Sequence, residues 1–142
     1  MNAESAVNVA AILLVLSVTA PGREASPAHS QTRQRPPEEF ACPRNDLTVY
    51  TGVVTRYERR LGRTTLRIST DWDTTEDVTL THAGTDDASA LYRYMGKPFT
   101  ASDWARIEQS KGVLRTGTRA AAWVCADGKV MVDWGVPGSV GN

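Results

Sequence analysis

The stretch from Leu47 to Glu58 constrains this chain more than any other. Leu47, Val49, Thr51, Val53, Thr55 and Tyr57 alternate with Thr48, Tyr50, Gly52, Val54, Arg56 and Glu58. That is the two-residue period of a long strand rich in β-branched and aromatic residues. Gly52 in its interior predicts a bulge or bend, as a strongly coiled strand needs. A chain of 142 residues has room for one ordinary domain around such a strand. Its 16 Lys and Arg balance 16 Asp and Glu. Neutrality argues against a duplex nucleic-acid binder, which carries a basic excess.

The N-terminus predicts an address rather than part of the fold. Residues Val7 to Ala20 form an apolar run. Its dense core of about 10–12 residues falls short of the ~20 that cross a bilayer as a helix. Length and position fit the apolar region of a secretory signal, although the preceding segment holds Glu4 and no Lys or Arg. Cleavage after Ala28 places Ser26 and Ala28 at the small-residue positions. Residues 1–28 are therefore expected to be a signal peptide, and the processed chain periplasmic or secreted with no transmembrane span. Residues 29–45, rich in Pro, Gln, Arg and Glu, predict a disordered linker. Residues 137–142 predict a short tail. Cys42 and Cys125 are the two cysteines. In an exported chain an even count predicts a disulfide, whereas the close Cys/His spacing of a zinc site is missing.

Beyond Glu58 the segments follow in a definite order. Gly62 marks a turn. Thr65 to Trp72 and Asp77 to His82 predict second and third strands. Thr100 as cap, with Asp103 three residues on and Phe99 as staple, opens a short helix over about residues 101–109 that carries Trp104 and Ile107 on one face. Thr118 to Cys125 and Val130 to Trp134 predict two further strands around a two-residue Asp127–Gly128 hairpin turn. With Tyr50–Thr55 in a long first strand, Thr100–Trp104 opening the helix and Leu114–Thr118 leading into strand four, the chain resembles the OB-fold superfamily, and small exported bacterial OB-fold proteins within it. The resemblance covers roughly residues 46–136. It implies a mainly β domain: a five-stranded Greek-key barrel with one short helix between strands 3 and 4. It does not by itself imply a function.

Candidate site residues gather on the first hairpin. Arg56, Arg59, Arg60, Arg63 and Arg67 fall within twelve residues. Arg forks recognise carboxylates and phosphates through two parallel hydrogen bonds. Arg56 and Arg67 are expected on the outward registers of paired strands, alongside Tyr50, and Trp123 is a candidate stacking aromatic on an open face. The alternative for the arginines is a solvated hairpin paired to Glu58 and nearby acids. The acidic run Asp71, Asp73, Glu76 and Asp77 lacks the Gly and Glu of a calcium loop and is expected to be a plain turn. His82 stands alone on its strand. No Ser-His-Asp set, metal-ligand cluster or phosphate loop is legible, so no catalytic residue, metal or cofactor is expected. These features predict a non-enzymatic binding module for an anionic ligand, envelope glycan or protein, with ligand contacts at Tyr50, Arg56, Arg59, Arg63, Arg67 and Trp123. An inhibitor or immunity-type protein that blocks an exported enzyme is the alternative.

Overall fold

A computed structural model describes residues 35–137. The expected signal peptide, the first part of the linker and most of the tail lie outside the described residues. The chain is mainly β. Strands run β1 (Leu47–Arg60), β2 (Arg63–Thr70), β3 (Thr75–Thr81), β4 (Tyr92–Tyr94), β5 (Lys97–Pro98), β6 (Glu108–Ser110), β7 (Val113–Leu114), β8 (Arg119–Cys125) and β9 (Val130–Trp134). Among the described residues one short α-helix, α1 (Trp104–Ile107), follows directly on a 3-10 turn at Ala101–Asp103. Seven strands form one mixed sheet in the order β3-β2-β1-β8-β9-β4-β5, and β6 pairs with β7 separately. Among the described residues only β4 with β9 pairs in parallel.

The expected five-stranded closed barrel is thus replaced by an open, larger sheet. The five long segments recur as β1, β2, β3, β8 and β9. Closure would require β3 to pair with β9. The parallel edge of β9 is instead taken by β4, through Tyr92 opposite Val132 and Tyr94 opposite Trp134. The helix is also shorter than its apolar pattern suggests. Thr100 donates its N–H to the Asp103 carboxylate at 2.8 Å, which fixes the start. Glu108 then turns to extended geometry (φ −105°, ψ 136°) and ends the helix after one turn. The β8–β9 loop has three residues rather than two, because Cys125 donates to the Lys129 carbonyl across Ala126–Gly128. Gly128, at φ +91°, supplies the left-handed residue that such a bulged hairpin needs.

Strand β1 carries the curvature. Its register to β2 shifts between Val54 and Arg56, so Thr55 is the extra, bulged residue. Bulges bend a strand and sharpen its twist. Gly52 plays a different part from the bulge expected of it. A Cβ there would lie 2.0 Å from the Ser69 carbonyl oxygen, so β1 and β2 approach each other more closely than any side chain permits.

Two apolar layers cover the sheet. On the inner face Val54, Leu66, Ile68, Val78, Leu80, Val132 and Trp134 form the main core with Tyr92 and Ile107. Ala120 sits opposite Trp134 and Ala122 opposite Val132, so small residues make room for large ones. On the outer face Trp123 and Cys125 pack with Phe40, flanked by Cys42, Leu47, Val49 and Met131. The linker expected to run to residue 45 therefore ends earlier: Phe40 is 8% exposed and belongs to the domain. The Cys42–Cys125 disulfide holds this segment down. Its sequence separation of 83 corresponds to about 4–5 kcal/mol of chain-entropy stabilisation.

The β4–β5 hairpin turns through Met95 (φ +49°) and Gly96 (φ +76°). Asp133, on the outer face of β9, accepts the Gly96 N–H on both carboxylate oxygens at 3.1 and 2.9 Å. Burial raises the Asp133 carboxyl above the ordinary range, against the opposing pull of the Gly96 N–H and Arg93. Arg93 in turn hydrogen-bonds Glu39 and the Gly96 carbonyl.

Gly52→Ala should destabilise the fold by about 1–3 kcal/mol, the usual cost of overpacking, in urea denaturation; a loss within about 0.5 kcal/mol would show that β1 and β2 can separate freely. A carboxyl raised in the folded state favours folding when protonated, and that contribution fades as pH rises through its folded pKa. The unfolding free energy of the wild type minus that of Asp133→Asn should therefore fall as pH is raised from 3 to 7. A flat or rising difference would contradict the assignment of a raised carboxyl.

Candidate functional site

The bulge at Thr55 sorts the first hairpin into two chemistries. Before it, even-numbered residues of β1 face the core; after it, odd-numbered ones do. Arg56, Glu58 and Arg60 consequently point outward, and Tyr57 and Arg59 inward. Tyr50 precedes the bulge and packs against the core, so it is on the opposite face from Arg56 and not beside it. The unbroken alternation of the sequence placed both on one face.

The outward side is a three-by-three grid of cross-strand neighbours. Arg56 lies opposite Arg67, and Arg67 opposite Asp77. Glu58 lies opposite Thr65, and Thr65 opposite Thr79. Arg60 lies opposite Arg63, and Arg63 opposite Thr81. Arg67 grips Asp77 with both arms, Nε to Oδ1 and Nη2 to Oδ2, each at 2.8 Å. That hydrogen-bonded fork holds the Asp77 carboxyl below its usual value. Arg60 hydrogen-bonds Glu58, and Arg56 reaches the same carboxylate only at 4.0 Å. Arg63 makes no ion pair among the described residues. A shallow depression of about 330 Å³ lies over Arg56, Arg63, Arg67 and Asp77, with Thr65 and Thr79 between them.

The inward side is a buried polar cluster. Arg59, expected as a ligand contact, has a side chain only 9% exposed and binds Glu108, itself 6% exposed. Arg59 Nη1 donates to both Glu108 oxygens at 3.1 Å, and Arg59 Nε donates to the Asp86 carbonyl at 2.6 Å. The guanidinium lies 4.0 Å over the Trp104 ring. Tyr57 donates its hydroxyl to Glu108 Oε1 at 2.6 Å. Burial, with Tyr92 and Glu108 close by, raises the Tyr57 hydroxyl far above its ordinary value, so it stays a neutral donor. Burial likewise pushes the Tyr92 hydroxyl up to about 12. Arg59 thus ties β1 to α1 and to the loop before β4, and is unavailable to an external ligand.

Trp123 is also corrected: it is 2% exposed, because the segment around Phe40 covers the outer face of β8. The acidic run is dispersed. Asp71 binds Arg119 Nη2 through both oxygens at 2.8 and 2.6 Å, and Asp77 binds Arg67. His82 Nε2 lies 3.0 Å from the Thr64 hydroxyl. Among the described residues no group of three His, Cys, Asp or Glu side chains converges as metal ligands. Of the residues expected at the site, Arg56, Arg63 and Arg67 come together; Tyr50, Arg59 and Trp123 do not. Asp77, Thr65 and Thr79 join them, and the pairing register of β2 with β3 was the signal for these. Glu108 had no such signal, since next to Ile107 at a helix end it looks solvent-facing.

Comparisons with protein-family models, with curated proteins and with solved structures find no match for this chain. No helix among the described residues is long and apolar enough to cross a membrane.

Removing one partner of a buried ion pair leaves an uncompensated charge, which costs about 3–5 kcal/mol. Glu108→Ala should lose that much stability, and combining it with Arg59→Met should recover at least half of the loss. Chemical denaturation of the two variants checks this. A Glu108→Ala loss below about 1 kcal/mol would mean that the pair does not hold β1 to α1.

Proposed function

We propose that the domain is an exported, non-enzymatic binding module that takes an anionic partner, glycan or protein, on the outer face of its first hairpin. One observation carries this reading. Two arginine pairs, Arg56 with Arg67 and Arg60 with Arg63, sit directly opposite each other across β1 and β2 on a single face. Like charges directly opposite destabilise a sheet. Four arginines there face only Glu58 and Asp77 as acids on the same grid. Folding gains nothing from that excess, whereas an anionic surface does. The shallow, flat depression favours an extended partner over a small enclosed ligand.

Two further features support the reading. The Cys42–Cys125 disulfide suits the oxidising compartment to which the expected signal peptide would deliver the chain. The run β3-β2-β1-β8-β9, with α1 between β3 and β8, has the order of an OB barrel left open between its third and fifth long strands. The first hairpin belongs to the region where such folds carry their ligands.

The test is retention on immobilised heparin and on immobilised polyglutamate, with salt elution. Wild-type protein should be retained, and retention should weaken with salt because screening at 0.15 M acts beyond about 8 Å. Arg56→Glu with Arg63→Glu should elute at much lower salt from both. Circular dichroism should be unchanged and stability the same or higher, since each change removes one member of a like-charge pair. Co-elution of the variant with the wild type would return the hairpin to a merely solvated face.

A further inference from the structure

We propose that a second copy of this chain pairs with the open edge of β3, strand to strand and antiparallel, centred on Thr79. The seven-stranded sheet ends on β3 at one side and on β5 at the other. β5 is two residues long and carries Pro98, and shortness and proline both blunt a sheet edge against further pairing. β3 has neither protection. It is seven residues long, holds no Pro or Lys, and pairs with β2 in unbroken register, so no bulge turns its edge away. Its Asp77 is already committed to the Arg67 fork.

The ladder decides which backbone groups are free. His82 donates its N–H to the Gly62 carbonyl at one end of the β2–β3 pair, and Thr70 donates to the Thr74 carbonyl at the other. Register is constant between them, with Thr64 opposite Leu80, Leu66 opposite Val78 and Ile68 opposite Glu76. Hydrogen-bonded and non-hydrogen-bonded pairs alternate in an antiparallel ladder. Glu76, Val78 and Leu80 therefore bond β2, and Thr75, Asp77, Thr79 and Thr81 turn their N–H and C=O groups away from it. Among the described residues none of these outward groups bonds a turn, loop or other strand. The same four residues are exposed, while Val78 and Leu80 are buried. An edge of this kind is a template for strand addition.

The residues along the edge favour its own copy as the occupant. Free groups must meet free groups, so odd-numbered residues face odd-numbered ones. Centring on Asp77 would set two carboxylates opposite each other, which destabilises a sheet. Centring on Val78 would set Glu76 against the partner's Leu80. Centring on Leu80 would carry Glu76 and Asp77 past the end of the partner's strand. Centring on Thr79 sets it against the partner's Thr79, Asp77 against the partner's Thr81 and Val78 against the partner's Leu80, and no acid faces an acid. Thr–Thr and apolar cross-strand pairs are favourable ones. On the outer face the row Arg56, Arg67, Asp77 then continues through the partner's Thr81 and the partner's Arg63. Two hairpin faces join in one sheet, although no arginine makes the contact and the pairing does not rest on the hairpin reading.

One strand edge per copy is a small interface, of the weak class below about 1,200 Å². Sedimentation of the full-length oxidised protein at rising concentration should therefore show a reversible monomer–dimer equilibrium. Thr79→Pro removes an edge N–H that β2 does not use, and proline is tolerated at such positions. It should weaken dimerisation at least tenfold with circular dichroism unchanged. Thr79→Cys adds the one free thiol of the chain, since Cys42 and Cys125 are bonded. In air it should form a disulfide-linked dimer, because paired Cα atoms about 5.5 Å apart lie within disulfide reach. Thr81→Cys should not link, since its counterpart lies about 13 Å along the strand. The cross-linking pair decides the matter even where Thr79→Pro fails to fold. A chain that stays monomeric at every concentration leaves the edge to a strand of another protein and overturns the proposal. So does a dimer that folded Thr79→Pro leaves intact, or linkage of Thr81→Cys as readily as Thr79→Cys. A monomer still retained on heparin sinks this inference alone, and a dimer without retention sinks the hairpin reading alone.

Discussion

The Arg59–Glu108 ion pair is the contact on which the arrangement of the domain turns. Moving two ions out of water costs several kcal/mol each, and attraction between them repays this only with good geometry and further hydrogen bonds. Here both conditions are met. Glu108 accepts from Arg59 on both oxygens and from the Tyr57 hydroxyl, while Arg59 also donates to the Asp86 carbonyl and lies on the Trp104 ring. Four parts of the chain meet in this cluster: β1, the loop before β4, α1 and β6. An apolar substitute would fill the same volume without selecting which helix face meets which strand. The pair selects it, because Glu108 meets Arg59 at the point where the helix ends.

That pair exists because β1 is bulged. With a regular strand, Arg59 would follow Thr51 and Val53 on the face opposite Val54, and the cluster would lie in solvent. Thr55 supplies the extra residue, and its hydroxyl hydrogen-bonds the Arg67 carbonyl across the irregularity at 3.3 Å. Gly52 allows the close approach of β1 to β2 just before it. Together they let one strand serve the apolar core with Val54 and the polar cluster with Tyr57 and Arg59.

This also explains what could be read in the chain beforehand. The long alternating segments, the capped helix start at Thr100 and the pairing of Cys42 with Cys125 rest on local periodicity, local hydrogen bonding and cysteine arithmetic, and all are present. The bulge could not be placed, since Gly52 and Thr55 both fit one and a shift of one residue inverts every later side chain. That ambiguity misplaces Tyr50; Arg59 fails for another reason, since it stands three residues from Arg56 and alternation alone turns it to the opposite face. Trp123 was misjudged for a different reason: its cover, Phe40, lies in a polar, Pro-containing segment whose composition predicts no core, and contacts such as the disulfide to Cys125 and the Arg93–Glu39 pair hold it over the sheet. The barrel stayed open because a three-residue strand, β4, which has no periodicity to detect, took the edge of β9.

Inside and outside of the first hairpin are not independent. Side chains alternate along β1 and β2, so fixing Tyr57 and Arg59 in the interior fixes the positions of Arg56, Glu58 and Arg60 outside. A flexible ribbon carrying the same arginines would relieve their repulsion by splaying apart or slipping register. The buried pair forbids both, since either movement would pull Arg59 from Glu108 and strand two charges away from water. The arginines are therefore held close together against their mutual repulsion, in a geometry already suited to an anion. A partner that binds them would not have to order the strands first, and such ordering adds to the cost of association. The stabilising interaction of the core and the binding face proposed for the surface are two sides of one bulged strand.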